Sequence, residues 1–127
     1  MAEHNLEGKW GEQVAAEWLC QKGYLILNRN WRAGTNLVDL DIVCQTPDGQ
    51  YTVFVEVKTR SNTNTTEPED AVNIKKIKNL GRVADSYVKQ YDVANDIRFD
   101  IITIVGQRNS HSPIINQIED AFNPLLV

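Results

Sequence analysis

The sequence is short of cysteine and of long apolar runs, and each shortage excludes a class of protein. Its 127 residues include two cysteines, Cys20 and Cys44, too few for a domain held together by disulfides. Both lie among apolar residues, so we expect buried, reduced thiols. No apolar run reaches the ~18 residues that a membrane-spanning helix needs. The first ten residues, MAEHNLEGKW, lack the pattern of a secretory signal, so we expect a cytoplasmic protein without a membrane segment.

Positive charge is also scarce, because the chain has 13 Lys and Arg residues and 17 Asp and Glu residues, which give a net charge of -4. This balance excludes a uniformly basic surface of the kind that coats nucleic acid. The stretch from Lys75 to Lys89 is an exception, with five basic residues and one acid, Asp85. We interpret it as a weak electrostatic footprint for nucleic acid, although an ordinary solvated helix surface explains it equally well.

Hydrophobic periodicity divides the chain, whose length fits about one domain, into two helices and about five strands. The helices are predicted over residues 6–22, with Asn5 as N-cap, and over residues 69–91. The strands are predicted in the segments YLILN, NLVDLDIVC, YTVFVEVKTR, IRFDIITIVG and IINQIED. The polar segment SNTNTTEPED, at residues 61–70, predicts a mobile loop. These elements predict an α/β fold with a mixed sheet flanked by two helices.

The turn between the second and third strands determines which of their charged side chains meet. Asp48-Gly49 predicts a two-residue type I′ turn. The resulting register places Asp41 opposite Glu56 and Asp39 opposite Lys58, all on one face of the hairpin. The same alternation places Leu40 with Ile42 on the other face.

Like charges opposed across two strands destabilise a sheet unless a cation lies between them. Carboxylate oxygens are the ligands that Mg²⁺ prefers, and a bound metal can polarise a phosphoryl oxygen and activate water. Lys58 could then orient that water or stabilise charge on the phosphate. The alternative is a solvated strand face on which Lys58 is an ordinary cross-strand partner.

The first predicted helix carries one acid among residues suited to close packing. Its small or apolar stripe consists of Gly8, Gly11, Ala15 and Leu19, and Glu12 lies within the same 100° arc. A carboxylate in a packing stripe is a candidate functional group.

The segment Glu56-Val57-Lys58, with Asp39 on the preceding strand, resembles the PD-(D/E)xK motif of restriction-endonuclease-like nucleases. Five blocks in order are similar to the bacterial YraN family: HNLEGKWGEQVAAEWL, GYLILNRNWR, VFVEVKTR, RFDIITI and IEDAF. That family is placed near archaeal Holliday-junction resolvases and the tRNA-endonuclease-like fold. The resemblance implies a restriction-endonuclease-like fold and an endonuclease dependent on Mg²⁺ or Mn²⁺.

The resemblance also implies particular roles for the candidate residues. Asp39 and Glu56 would bind the metal, Glu12 would be the helix carboxylate that joins them, and Lys58 would be the catalytic lysine. Lys76 matches a family lysine that could face phosphate, although a snorkelling lysine explains it equally well. Contacts with nucleic acid, DNA in preference to RNA, are expected from the basic residues of the second helix, Lys75, Lys76, Lys78 and Arg82. Resolvase-like enzymes act in pairs, which suggests a homodimer.

Two departures from the family pattern leave the activity open. A Gly-Glu pair usually precedes the strand aspartate, and Asn36 and Leu37 stand there instead. Asp41 stands where the family has an apolar residue. Either Asp41 replaces the missing carboxylate in the metal site, or the site has drifted and the protein binds nucleic acid without cutting it. A third interpretation is a protein–protein adaptor.

Overall fold

The computed structural model describes residues 2–34, 38–61, 73–108 and 111–126, with side chains from residue 6 onward. The elements in chain order are α1 Ala2–Gln21, β1 Leu25–Trp31, β2 Leu40–Gln45, β3 Tyr51–Arg60, α2 Ile74–Tyr91, β4 Asp96–Val105 and β5 Ile114–Ile118. A 3-10 turn at Pro124–Leu126 follows. The predicted mobile loop lies, from residue 62 onward, outside the described residues. No helix in the described ranges is long and apolar enough to cross a membrane.

The five strands form one mixed sheet in the order β1-β2-β3-β4-β5. Neighbouring strands are antiparallel except for β3 and β4, which run parallel and are joined through α2. Helix α1 packs on one face of the sheet and α2 on the other. The predicted α/β fold, with about five strands and two flanking helices, is confirmed, and it is consistent with a restriction-endonuclease-like fold.

Close packing of α1 against the sheet depends on its small residues. Ala15 and Leu19 are fully buried in a cluster that includes Ile42 and Val53. Gly11 lies against Thr59 so tightly that a Cβ atom would overlap the Thr59 hydroxyl oxygen. The predicted packing stripe is therefore confirmed at these positions. The helix begins at Ala2 rather than at residue 6, so the predicted Asn5 cap was wrong.

Helix α2 covers the opposite face with an apolar stripe of Leu80, Val83, Ala84 and Tyr87. The helix begins at Ile74 because the Asn73 side chain accepts a hydrogen bond from the Lys76 backbone N–H at 2.9 Å. The prediction placed its start at residue 69, and residues 69–72 lie outside the described ranges. The helix ends at Tyr91, as predicted, with Asp92 in the left-handed conformation.

The hairpin between β2 and β3 has the predicted register but not the predicted turn. Ile42 pairs with Val55, as expected. The loop has four residues instead of two, because the Thr46 N–H donates to the Tyr51 carbonyl at 3.0 Å. Asp48 does not have the positive φ that a type I′ turn requires at this position, so the turn is not type I′. A two-residue loop and a four-residue loop centred on the same dipeptide give the same strand pairing. The observed register therefore agrees with the predicted one although the turn does not.

The start of β2 differs from the prediction. The strand begins at Leu40, so Asp39 precedes it, and pairing with β3 ends at Ile42. Leu40 packs on the α2 side rather than beside Ile42 on the α1 side. Its partner on β1 is Trp31, which follows Asn30, a residue with φ of 52°. The change of side on β2 lies opposite Asn30, whose left-handed conformation interrupts the alternation of side chains along β1.

The two cysteines differ in exposure. Cys44 is buried as predicted, and burial raises the pKa of its thiol to about 12, which keeps it protonated. Cys20 is exposed on α1, so its predicted burial was wrong. Apolar neighbours in sequence do not bury a residue that lies on the outer face of a helix.

Candidate active site

A cluster of four charged side chains lies where β2, β3 and α2 meet. Glu56 and Lys58 alternate along β3 and face the same side of the sheet. Asp41 lies on the adjacent strand and Lys76 in the first turn of α2. The Glu56 side chain is 4% exposed, that of Lys58 14% and that of Lys76 36%. Two acids and two bases therefore share one largely buried site.

Asp41 is held in place by the backbone of the neighbouring strand. The Val57 N–H donates to Asp41 Oδ2 at 2.9 Å, just beyond the last paired residues of the two strands. Burial, together with the hydrogen bond to Glu56 and the charge of Glu56, raises the pKa of Asp41 to about 9. Asp41 therefore stays protonated near neutral pH, and its O–H group donates a hydrogen bond to Glu56.

Glu56 is the charged partner of this pair. Burial alone would raise the pKa of Glu56, but the hydrogen bond from Asp41 and the charge of Lys76 outweigh burial and lower it. Lys76 Nζ lies 2.7 Å from Glu56 Oε2, and Lys58 Nζ lies 3.8 Å from the same oxygen. One negative charge is thus shared by two carboxyl groups and faced by two ammonium groups.

The two lysines differ in how tightly they hold their protons. Burial lowers the pKa of Lys58, even though Glu56 opposes the shift. Burial also lowers the pKa of Lys76, but the close contact with Glu56 outweighs it, so the net shift is upward. Lys58 therefore releases a proton more readily than Lys76 does.

The other two candidate carboxylates lie at the margin of the cluster. Asp39 Oδ1 accepts a hydrogen bond from Arg32 Nε at 2.6 Å, so its predicted pairing with Lys58 was wrong. No spacing pattern in the sequence indicated Arg32 as its partner. Burial raises the pKa of Glu12, and the charges of Asp39 and Glu56 contribute to the rise, while a hydrogen bond with Asn30 opposes it.

The sequence predicted four metal-binding carboxylates, and the structure brings two of them into direct contact. Asp41 and Glu56 adjoin, whereas Asp39 is turned to Arg32 and Glu12 is bonded to Asn30. Among the residues described, no three of Asp, Glu, His and Cys form a group that could hold a metal ion. The larger set of metal ligands therefore stays a prediction.

Comparison with known proteins identifies the family. A family model described as "Uncharacterised protein family UPF0102" matches residues 11–104. The chain belongs to UPF0102. A UPF0102 protein of Bacteroides thetaiotaomicron is 47% identical over 126 residues, with 99% of each chain covered. One from Phocaeicola vulgatus is 45% identical, with 98% of each chain covered. The predicted membership in the YraN family is thereby confirmed.

A solved structure gives a much weaker likeness. The structure of Pyrococcus furiosus SfsA in complex with Ca²⁺ is 16% identical, with a TM-score of 0.31. The match covers 91% of the UPF0102 chain and 63% of SfsA. A likeness at this level supports no inference about function.

The exposed side of α2 in this UPF0102 protein presents a basic stripe, defined here as Lys75, Lys78 and Arg82. Their spacing of three and four residues places them along one face of the helix. Lys89, in the last turn, is paired with Asp85 at 2.8 Å. The stripe therefore begins beside Lys76 and leads away from the charged cluster.

A second buried ionic group lies away from the charged cluster. Arg98 donates from Nε and Nη2 to the two oxygens of Asp100, both at 2.9 Å. Asp100 is fully buried and also accepts hydrogen bonds from the Gln117 side chain and the Asp120 N–H, both at 3.0 Å. Because every oxygen of Asp100 is engaged, this group stabilises the contact between β4 and β5.

Two wide clefts border the C-terminal half of α2, with volumes of about 590 and 620 Å³. Neither includes the charged cluster. The cavity that does reach Asp41 and Glu56 measures about 10 Å³, which is barely enough for one water molecule. Among the described residues, this cavity leaves little room for a ligand on the interior side of the carboxyl pair.

Proposed function

We propose that this UPF0102 protein is an endonuclease that hydrolyses phosphodiester bonds of nucleic acid, DNA in preference to RNA, with a divalent cation. The observation that carries the proposal is the contact between the Asp41 and Glu56 carboxyl groups beside Lys58. Clusters of titratable groups with strongly perturbed pKa values are typical of catalytic sites. Folding around a closely placed carboxyl pair is costly, and a catalytic role accounts for that cost.

The residues present fit a hard divalent cation. Glu56 Oε2 is buried, and no residue in the described ranges gives it a well-formed hydrogen bond, although Lys76 faces it as an ion pair. Mg²⁺ is commonly held by one or two carboxylates, with water and substrate phosphate completing its ligands. Asp41 and Glu56 are the pair that would hold Mg²⁺ or Mn²⁺, with the predicted ligands Asp39 and Glu12 nearby. Such a cation polarises a phosphoryl oxygen and lowers the pKa of bound water.

The remaining groups have roles that follow from charge and position. Lys58 can donate from Nζ to a non-bridging phosphoryl oxygen, where negative charge develops as water attacks phosphorus. Burial lowers its pKa, so Lys58 releases a proton more readily than a solvent-exposed lysine does. The basic stripe on α2 can contact backbone phosphates that follow the cleaved bond on one side. Together these groups position and polarise the phosphodiester.

A second candidate function is nucleic-acid binding without cleavage. The observation in its favour is that Lys76 already balances the charge on Glu56. With no group of three metal-holding side chains among the described residues, the protein could retain the fold and the basic stripe alone. A third candidate, a protein–protein adaptor, predicts no binding to nucleic acid even at low salt.

Cleavage assays with paired variants distinguish these candidates. Labelled DNA and RNA are incubated with wild type, Glu56→Gln and Glu17→Gln, with Mg²⁺ or with EDTA. Glu17 is an exposed acid on α1 and serves as the matched control. We expect Mg²⁺-dependent cleavage by wild type and Glu17→Gln, and a loss of about 100-fold or more in Glu56→Gln. Equal rates in all three proteins would refute the proposal, and binding without cleavage would establish the second candidate. Sedimentation of the same samples tests the predicted homodimer.

A further inference from the structure

We propose that Lys76 is a built-in counter-ion of the Asp41–Glu56 pair and that it and a divalent cation exclude each other at Glu56 Oε2. The inference rests on the proposed function only for the position of the cation. It assigns Lys76 a regulatory role in cation binding, in place of either the phosphate contact or the snorkelling residue that the sequence left open.

Lys76 and a bound cation would compete for one oxygen atom. Lys76 Nζ lies 2.7 Å from Glu56 Oε2. Magnesium bonds to oxygen at ~2.1 Å, so a cation on the same atom would lie within about 5 Å of the ammonium group. Two positive charges this close, in a largely buried site, repel each other strongly. Lys58, at 3.8 Å from that oxygen, is less directly opposed to an incoming cation.

Lys76 is also the more exposed of the two lysines. Its side chain is 36% exposed, whereas that of Lys58 is 14% exposed. The flexible four-carbon stem can carry the ammonium group outward into solvent. Asn73 caps the helix through the backbone N–H of Lys76, so the side chain can leave Glu56 without opening the helix end.

Displacement of Lys76 would have a consequence for substrate binding. In the metal-free protein the ammonium group compensates a buried negative charge that would otherwise be costly. Once displaced by a cation, it would lie next to Lys75 at the start of the basic stripe. Cation binding would then add one positive charge to the surface that faces nucleic acid. The two binding events would thereby reinforce each other.

Mn²⁺ titration by calorimetry tests the competition, with no substrate present. We compare wild type, Lys76→Met and Lys75→Met, because Lys75 is an exposed lysine on the same helix turn and gives the same change of net charge. We expect Lys76→Met to bind Mn²⁺ at least about tenfold more tightly than wild type, and Lys75→Met to differ by less than about twofold. Equal affinities for the two variants would overturn the proposal, as would absence of Mn²⁺ binding to all three proteins.

A second measurement uses wild type alone and does not depend on the folding of a variant. Lysine acetylation rates are followed by mass spectrometry with and without Mn²⁺, and Lys75 and Lys78 are internal controls. We expect Mn²⁺ to increase the reactivity of Lys76 about threefold or more while the controls remain unchanged. Unchanged reactivity of Lys76 at saturating Mn²⁺ would overturn the proposal. Tighter Mn²⁺ binding by Lys76→Met without any cleavage by wild type would refute the endonuclease while leaving the competition established.

Discussion

Asp41 accepts a hydrogen bond from the Val57 backbone N–H at 2.9 Å, at the point where β2 and β3 cease to pair. A side-chain oxygen thus replaces the carbonyl that a regular ladder would have supplied. This contact holds the carboxyl group of Asp41 against Glu56, and the pair can exist only because one of the two keeps a proton.

The raised pKa of Asp41 makes stability depend on pH. In the folded state the pKa of Asp41 is about 9, whereas an aspartate in the unfolded chain has a pKa of 3.8, so between these two values only the folded protein keeps the proton. The contribution of Asp41 to the free energy of unfolding is therefore fully present below pH 3.8 and is lost as the pH rises towards 9. Glu56 acts in the opposite sense, but its lowered pKa affects stability only at acidic pH.

Asp41→Asn mimics the protonated acid and should remove this dependence. An amide can accept from the Val57 N–H and donate to Glu56, as protonated Asp41 does. We expect the wild type to lose on the order of 1–3 kcal/mol of unfolding free energy between pH 6 and pH 8. The variant should lose much less, as measured by urea denaturation. The exposed Glu17→Gln variant should retain the wild-type slope, and parallel pH profiles for wild type and Asp41→Asn would contradict the assignment.

Two glycines of α1 should respond in opposite directions to the same substitution. Gly11→Ala forces a methyl group into Thr59, and we expect a loss of about 1–3 kcal/mol. Gly8 has no atom within 4 Å of the position of a Cβ, so Gly8→Ala should gain up to about 1 kcal/mol from helix propensity. Thermal and urea unfolding measure both. Equal gains in the two variants would show that α1 does not approach β3 as closely as described.

The register of the central hairpin was predictable because it depends on symmetry about a dipeptide. Asp48-Gly49 lies at the centre of both a two-residue and a four-residue loop, so Ile42 pairs with Val55 in either case. The turn type was not predictable, because Asp48 tolerates positive φ but does not require it. Strand β3 has the predicted limits, since seven of its ten residues are β-branched or aromatic.

The position of Asp39 could not be read from the sequence. Alternation predicted that it would share a strand face with Glu56, but β2 begins one residue later. Its partner, Arg32, lies on a separate segment that no local pattern connects to it. The left-handed Asn30 also gives no distinct signal, because Asn is compatible with both strand and turn conformations. Tertiary contacts, and not local periodicity, determine this end of the sheet.

The buried Arg98–Asp100 pair predicts a large loss of stability when it is broken. Asp100→Asn leaves a guanidinium group that is 13% exposed without its principal partner. We expect a loss of about 3 kcal/mol or more in unfolding free energy. Asp85→Asn, which breaks the exposed pair with Lys89, should change it by less than about 1 kcal/mol. Similar losses in the two variants, measured by urea denaturation, would mean that the Arg98–Asp100 pair is not structural.

The basic stripe on α2 predicts the salt dependence of nucleic-acid binding. Each phosphate contact contributes ~1 to the slope of log affinity against log salt concentration. Lys78→Ala and Arg82→Ala should each reduce that slope by about 1 in fluorescence anisotropy titrations. Lys89→Ala is the control, because Lys89 is paired with Asp85 on the same helix. Unchanged slopes in Lys78→Ala and Arg82→Ala would exclude α2 from the nucleic-acid interface.

The position of a bound cation tests the proposed active site most directly. Crystals soaked in Mn²⁺ and measured at the manganese absorption edge locate the ion by its anomalous scattering. We predict a peak within ~2.0–2.6 Å of oxygens from both Asp41 and Glu56, with Lys76 Nζ displaced from its contact at 2.7 Å. A saturated soak with no anomalous peak beside this carboxyl pair would contradict the account.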